Sequence, residues 1–405
     1  MNATAPGNIE FSPEMKLLLS CCCKTVTEKQ QAHMNKMIHE GLDWNRFIKL
    51  ANYHQVVPVV TVNLQKYAAN GVPPRVSGRL KTLGKKQKIH AMELTAELVR
   101  IVKQCREQGI RVICLKGPVL ARQLYGDIAL RHIIDIDLLV DLQDVKKIHQ
   151  LLTLQGYETG HPELFSSSLH WEVFKRSKHH VPYFHREKSL SLELHFRLFK
   201  NIHVFPNREL KAWDHPQTLV YAGVTLNTLS MTDNVLYLFV HGSIHKWHLL
   251  KWLTDIAQLS YSQSIDWEEL SARAKETGLQ RPVLQGLLLL NQLFGIPLPE
   301  VFARLPVSKP VICLTRRAKT VIKESRENLK AGFFFAFRER IYLLKLKKEL
   351  KYKLRYIRDL FYLDSHRQIL RLPPYLFPLY IVLNPFLWFY KNYIRGRILP
   401  PKGQV

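Results

Sequence analysis

The chain has 405 residues, enough for two or three domains, and 46% of them are hydrophobic, which supplies a sizeable core and excludes global disorder. Its formal net charge of +26 suits polyanions: nucleic acid, anionic lipid headgroups or nucleotide phosphates. Three of the six cysteines, Cys21, Cys22 and Cys23, are adjacent, and no C-x-x-C zinc pair exists, so a disulfide framework is excluded and a reduced cytosolic protein is expected.

The N-terminus, MNATAPGNIEFSPEMK, lacks the basic start and apolar core of a signal peptide. The longest apolar stretch, Tyr375 to Tyr390, is short and broken by Pro378, Asn384 and Pro385, so it reads as a packed or interfacial segment, not a span. The expected localisation is cytoplasmic, with peripheral contact to an anionic membrane left open.

In chain order, residues 1–108 read as a helical region. Glu14 to Cys22, Glu28 to Glu40 and Trp44 to Tyr67 carry apolar residues at three- and four-residue intervals, and Pro58 should kink or divide the third. Pro73-Pro74 closes this block. Arg79 to Gln108 follows as a long amphipathic helix, with Leu80, Leu83, Ile89, Met92, Leu94, Leu98 and Ile101 available for burial and Gly109 as its stop.

Residues 109–228 read as the core domain. Ile110 to Leu115 is β-branched and apolar, a first core strand. Lys116-Gly117-Pro118 then opens a helix from Val119 to Tyr125; Pro118 suits the first helical position, and the free N–H groups there make a phosphate seat. Lys116 is a candidate cation for a β- or γ-phosphate, or an ordinary solvated lysine. Asp135 and Asp137 lie one residue apart in an apolar run, so on a strand they share one face, while Ile134, Ile136 and Leu138 share the other and can pack inward. Two such carboxylates repel unless a cation lies between them, and hard oxygen ligands suit Mg²⁺. Arg131 is a second phosphate candidate, with an ion pair to Asp127 as its alternative. Asp144 to Gln155 is the next helix; Leu169 to Lys175 reads as a strand. His180 to His185, a turn, and Leu190 to Phe199 have the signature of a hairpin. On its second arm Glu193, His195 and Arg197 share a face, which aims Glu193 as a third acid. His195 is placed to touch phosphate or to hydrogen-bond Glu193, and His180 is a weaker candidate.

Residues 229–300 read as helices packing on the core, with Thr232 as a cap. His241, His245, His248 and Asp255 hint at a metal, but lining a cleft or joining helices suits them better; Trp247 and Trp252 read as core. Pro297 to Pro310 reads as a linker. Residues 301–405 form a basic and apolar C-terminal helical region: Arg316, Arg317, Lys319, Lys323, Lys345, Lys347, Lys348, Lys351, Lys353 and Arg355 interleave with Phe333, Phe334, Phe335, Ile341 and Leu344. This is either a solvated face or a surface for anionic membrane or a polyanionic acceptor.

The block L-K-G…L-Y…L-R…D-I-D-L-L-V followed by E-L-H-F resembles a family of uncharacterised bacterial nucleotidyltransferase-like proteins within the DNA polymerase beta superfamily. The likeness extends to A-N-Y-H-Q-V-V-P, to H-G-S-I-H-K-W-H-L-L-K-W-L-T-D-I-A-Q-L and to the closing L-P-P-Y-L…Y-I-V-L-N-P. The superfamily turn usually has Gly or Ser after its glycine; here Pro118 follows Gly117. The resemblance implies an α+β nucleotidyltransferase fold, a mixed sheet flanked by helical regions. It implies catalytic and metal-binding roles for Asp135, Asp137 and Glu193 with two Mg²⁺ ions, and nucleotide contacts from Lys116, Gly117, Arg131 and His195. The implied reaction is transfer of NMP from an NTP to an acceptor: a small molecule, polysaccharide precursor, protein or RNA. Two alternatives remain: a non-catalytic cationic adaptor on membrane or nucleic acid, and a D-x-D glycosyltransferase.

Overall fold

The structure, a computed structural model, describes residues 9–22, 26–166, 168–205, 213, 216–261, 265–324, 333–361, 369–370, 372, 376 and 379–390. The N-terminal helices start where the sequence supplies caps. Ser12 caps α1 (Pro13–Cys21), Thr27 and Gln30 form a capping box on α2 (Glu28–His39), and Asp43 caps α3 (Trp44–Tyr53). The Trp44–Tyr67 stretch divides as Pro58 requires: α3 ends before His54, and α4 (Val57–Tyr67) takes the proline into its first turn, where a missing N–H costs nothing. The long helix α5 (Pro74–Glu107) starts earlier than the sequence reading, because Pro74 opens it. Ile89 and Met92 are 49% and 54% exposed, against the expectation of burial. Met92 stands two residues before the buried Leu94, about 200° round the helix, and so faces solvent.

Seven strands form one mixed sheet: β1 (Val112–Cys114), β2 (Asp135–Val140), β3 (Tyr157–Thr159), β4 (His180–His185), β5 (Leu190–His195), β6 (Gln217–Tyr221) and β7 (Val224–Thr228). Their order is β3-β4-β5-β2-β1-β7-β6. The β2/β5 and β1/β7 pairs are parallel; the rest are antiparallel. Strand alternation sends side chains into two cores. Val112, Cys114, Ile136, Leu138, Leu192 and Leu194 pack with Leu94, Leu98 and Ile101 of α5 and with Ile148 and Leu152 of α7 (Val145–Leu154). Ile113, Leu115 and Leu139 face the other way, into the core built by α6 (Gly117–Tyr125), α9 (Met231–Ile244), α10 (Leu250–Tyr261) and α12 (Gln280–Phe294). Trp247 is fully buried in that second core, slotted against Gly242 and Gly286: a Cβ at either would lie within 2.4–2.9 Å of its ring. The α+β architecture, a mixed sheet flanked by helices, is as the sequence implies.

Several expectations are corrected. Ser168–Ser177 is a helix, α8, not a strand; Trp171 and Phe174, three residues apart, lie on one side of it, and Trp171 meets Phe196 at 5.3 Å. Ile134 is 44% exposed because β2 begins only at Asp135, so the residue before it lies outside the ladder. Ser230, not Thr232, caps α9. The 297–310 stretch contains α13 (Glu300–Ala303), whose Phe302 is buried against Trp267 of α11 (Trp267–Glu276). The C-terminal region contains α14 (Lys309–Glu324), α15 (Phe333–Lys345), α16 (Leu350–Phe361) and a helix over Tyr380–Phe389. Cys23, Tyr375, Phe377, Pro378 and the side chains of Phe333, Phe334 and Phe335 lie outside the described residues. Among the described residues no helix is long and apolar enough to cross a membrane.

Candidate active site

The turn between β1 and α6 is fixed by backbone chemistry. Gly117 has φ +59, in the left-handed region, and a Cβ there would sit 3.1 Å from the backbone oxygen of Asp135. Glycine answers both the angle and the lack of room. The turn thereby lies against the first residue of the Asp-x-Asp strand. Lys116, at the N-cap of α6, directs its Nζ to within 3.1 Å of Asp137 Oδ1 and 5.9 Å of the Tyr237 ring centre.

Parallel pairing of β2 with β5 sets Asp135 beside Ser191 and Asp137 beside Glu193. Neighbouring strands are about 4.8 Å apart, so two carboxylates in register are forced close. His195 lies between them: its Nε2 is 3.1 Å from Asp137 Oδ1 and 3.1 Å from Glu193 Oε2. Asp137 is 3% exposed, and its Oδ2 is buried with no hydrogen-bond partner. One donor atom each from Asp137, Glu193 and His195 lie within 4.8 Å of one another. Asp135 stands one pleat along on the same face. With Ser191, Glu193, Glu158 and Phe184 it lines a groove of about 430 Å³.

The charges are strongly coupled. Burial raises the Asp135 pKa, and repulsion from Asp137 adds to this; the carboxyl is pushed up to about 6. Burial also opposes charge on Asp137, but Lys116 and His195 outweigh it and hold that carboxyl well below its ordinary value. Glu193 is likewise lowered against its burial, chiefly by the His195 hydrogen bond. Burial works against the Lys116 ammonium, yet Asp137, with Tyr237, Asp135 and Glu193, holds its pKa above the ordinary lysine value. His195 is raised by its two carboxylates despite burial. Burial brings His180 down to about 4.

Arg131 does not face this groove. Its guanidinium makes a bidentate ion pair with Asp255 of α10 at 3.0–3.2 Å, both side chains being almost fully buried, and the Tyr125 hydroxyl completes the contact at 3.3 Å. The partner is Asp255, 124 residues away, where the sequence offered Asp127. Asp127 instead caps a short turn by accepting from the Ala129 N–H. His241 and His248 meet Trp252 edge-on at 5.0 and 4.7 Å and His245 lies tilted against it at 5.4 Å; among the described residues they make no close donor triad. The sequence reading left out Lys251, which donates to Gln55 and which burial, with Arg131, brings down to about 7. It also left out His179, whose signal was its place beside His180 at the start of the hairpin.

A divalent ion suits these residues. A carboxylate oxygen buried without a partner is costly, and an ion beside Asp137 would satisfy it. Repulsion between Asp135 and Asp137 would be relieved at the same time.

Fold and site together define an α+β protein with a carboxylate–imidazole centre beside a lysine–glycine turn. A family profile for uncharacterised nucleotidyltransferases matches residues 40–295, more than half of the chain, and the chain belongs to that family. No curated protein and no solved structure matches it.

Proposed function

We propose that this chain moves a nucleoside monophosphate from an NTP to an acceptor hydroxyl, with Mg²⁺ as cofactor and two ions expected. The observation that supports this most is the parallel register that sets Glu193 beside Asp137, with Asp135 on the same face and the Lys116-Gly117 turn against it. Asp135, Asp137 and Glu193 would hold the ions, which supply charge neutralisation at the phosphate and a more acidic acceptor hydroxyl. Lys116, charged at neutral pH, balances the negative charge of the carboxylates and of an incoming triphosphate. The Gly117 backbone and the first N–H groups of α6 seat a phosphate. His195, anchored to two carboxylates, orients both. Arg131 acts as a positioning residue, tying the segment before β2 to α10. The groove volume of about 430 Å³ falls within the range of small-molecule sites.

The acceptor is a small molecule, a polysaccharide precursor, a protein or RNA. Incubating protein, radiolabelled NTPs and Mg²⁺ with fractionated cell extract tests the reading and isolates the acceptor. Labelling is expected with wild type; labelling that persists in Asp135→Ala/Asp137→Ala would overturn it.

One observation also favours contact with an anionic membrane. Leu350, Leu354 and Ile357 of α16, spaced by four and three, are 68%, 58% and 38% exposed, and Val382 and Phe386 of the Tyr380–Phe389 helix are 65% and 68% exposed. Lys351, Lys353, Arg355 and Arg358 lie on α16 with the first row. Apolar residues beside cations suit the interface of an anionic bilayer.

A further inference from the structure

A second donor set adjoins the acids. His180 opens β4, His179 immediately precedes it, and His180 is the cross-strand partner of His195 on β5. The three ring centres are 4.4, 5.1 and 5.4 Å apart. One ligating nitrogen from each ring lies within 4.8 Å of the other two. His180 Nδ1 is 3.2 Å from His179 Nε2. Donors on a tetrahedral ion with bonds of about 2.0–2.1 Å are about 3.3 Å apart, so this spacing already matches one edge of such a site. The His179 carbonyl accepts from the Phe196 and Arg197 N–H groups at 3.0 and 3.2 Å, which fixes the backbone there. His195 is 2% exposed, and its Nδ1 is buried without a hydrogen-bond partner. Glu193 links the two sets: one oxygen meets His195 at 3.1 Å, the other stands 3.7 Å from His180 Nε2.

We propose that His179, His180 and His195 form a zinc site that adjoins the acidic centre through His195. Donor chemistry makes the choice of ion. Three imidazoles suit Zn²⁺ and similar transition ions, whereas Mg²⁺ prefers oxygen ligands and sheds its waters reluctantly. The centre is therefore divided into an oxygen-rich side at Asp135 and Asp137 and a nitrogen-rich side at the hairpin start. Zinc binding does not depend on the transfer reading, and the two fail separately.

The test uses full-length protein stripped with chelator and titrated with Co²⁺, whose visible d–d absorption reports tetrahedral nitrogen ligation. One equivalent should give the band, Zn²⁺ should abolish it, and millimolar Mg²⁺ should not. His179→Ala and His180→Ala should each weaken Zn²⁺ binding about tenfold or more, while Asp135→Asn leaves the band in place. His180→Cys keeps a soft donor and should add a thiolate-to-cobalt charge-transfer band absent from wild type; this variant decides the matter if the alanine variants fail to fold. A wild type with no band, binding that Mg²⁺ displaces, or a His180→Cys protein without the new band would overturn the site. Zinc bound as described without nucleotidyl transfer would remove only the transfer reading.

Discussion

Replacing Arg131 by methionine should destabilise the protein by about 3–5 kcal/mol, because it leaves the buried Asp255 carboxylate uncompensated. The magnitude rests on geometry. Arg131 and Asp255 expose 4% and 0% of their side chains, and the three N–O contacts are 3.0–3.2 Å. After the substitution Asp255 retains the Tyr125 hydroxyl at 3.3 Å and the neighbouring Lys251, so the lower end of the range is expected. Urea unfolding followed by tryptophan fluorescence measures the loss. The double variant Arg131→Met/Asp255→Leu should recover at least about 2 kcal/mol of it, since removing both charges removes the desolvation penalty. A single variant that loses under about 1 kcal/mol would refute the reasoning, as would a double variant no more stable than the single.

Three further outcomes are expected. Gly117→Ala should cost about 1–2 kcal/mol from its left-handed backbone alone, and should reduce nucleotidyl transfer more than stability because the displaced contact is the Asp135 backbone; equal stability by urea unfolding would contradict this. Glu97 is opposed by burial, yet Arg100, Lys188 and Tyr157 lower it to about 2, so it adds stability that is present above pH about 4.5 and lost as pH falls toward 2; Glu97→Gln should therefore be less stable than wild type at pH 7 by about 1–3 kcal/mol after screening of the partly exposed Arg100 and Lys188, and the gap should close over that window. Leu354→Glu should weaken sedimentation of the protein with vesicles rich in anionic lipid, and raised salt should do the same; binding indifferent to both would remove the membrane surface.

What the sequence discloses depends on how far each relation reaches along the chain. Period-two alternation is local, so the shared face of Asp135 and Asp137, and that of Glu193 and His195, are legible in D-I-D-L-L-V and L-E-L-H. The parallel pairing that brings those faces together spans more than fifty residues and leaves no mark in either segment. The same holds for Arg131, whose partner is 124 residues away; only the nearby Asp127 was in view. The β6–β7 hairpin did leave a signal that went unread: T-L-V-Y and V-T-L-N flank Ala222-Gly223, a two-residue turn with both φ values positive. The aromatics of 168–177 invited a strand, but spacing Trp171 and Phe174 by three serves a helix.

The position of the centre is itself an argument for chemistry. Asp137 lies between Ile136 and Leu138, which enter one core, and next to the pair Ile113 and Leu139, which enter the other. A buried ion group at such a seam costs several kcal/mol to desolvate, and well-packed apolar residues of similar size are often as stable or more so. Stability alone would favour leucine there. The chain instead buries a carboxylate, brings a lysine and an imidazole to within 3.1 Å of one of its oxygens, and leaves the other without a partner. Packing alone does not account for that unpartnered oxygen, and an ion beside it would.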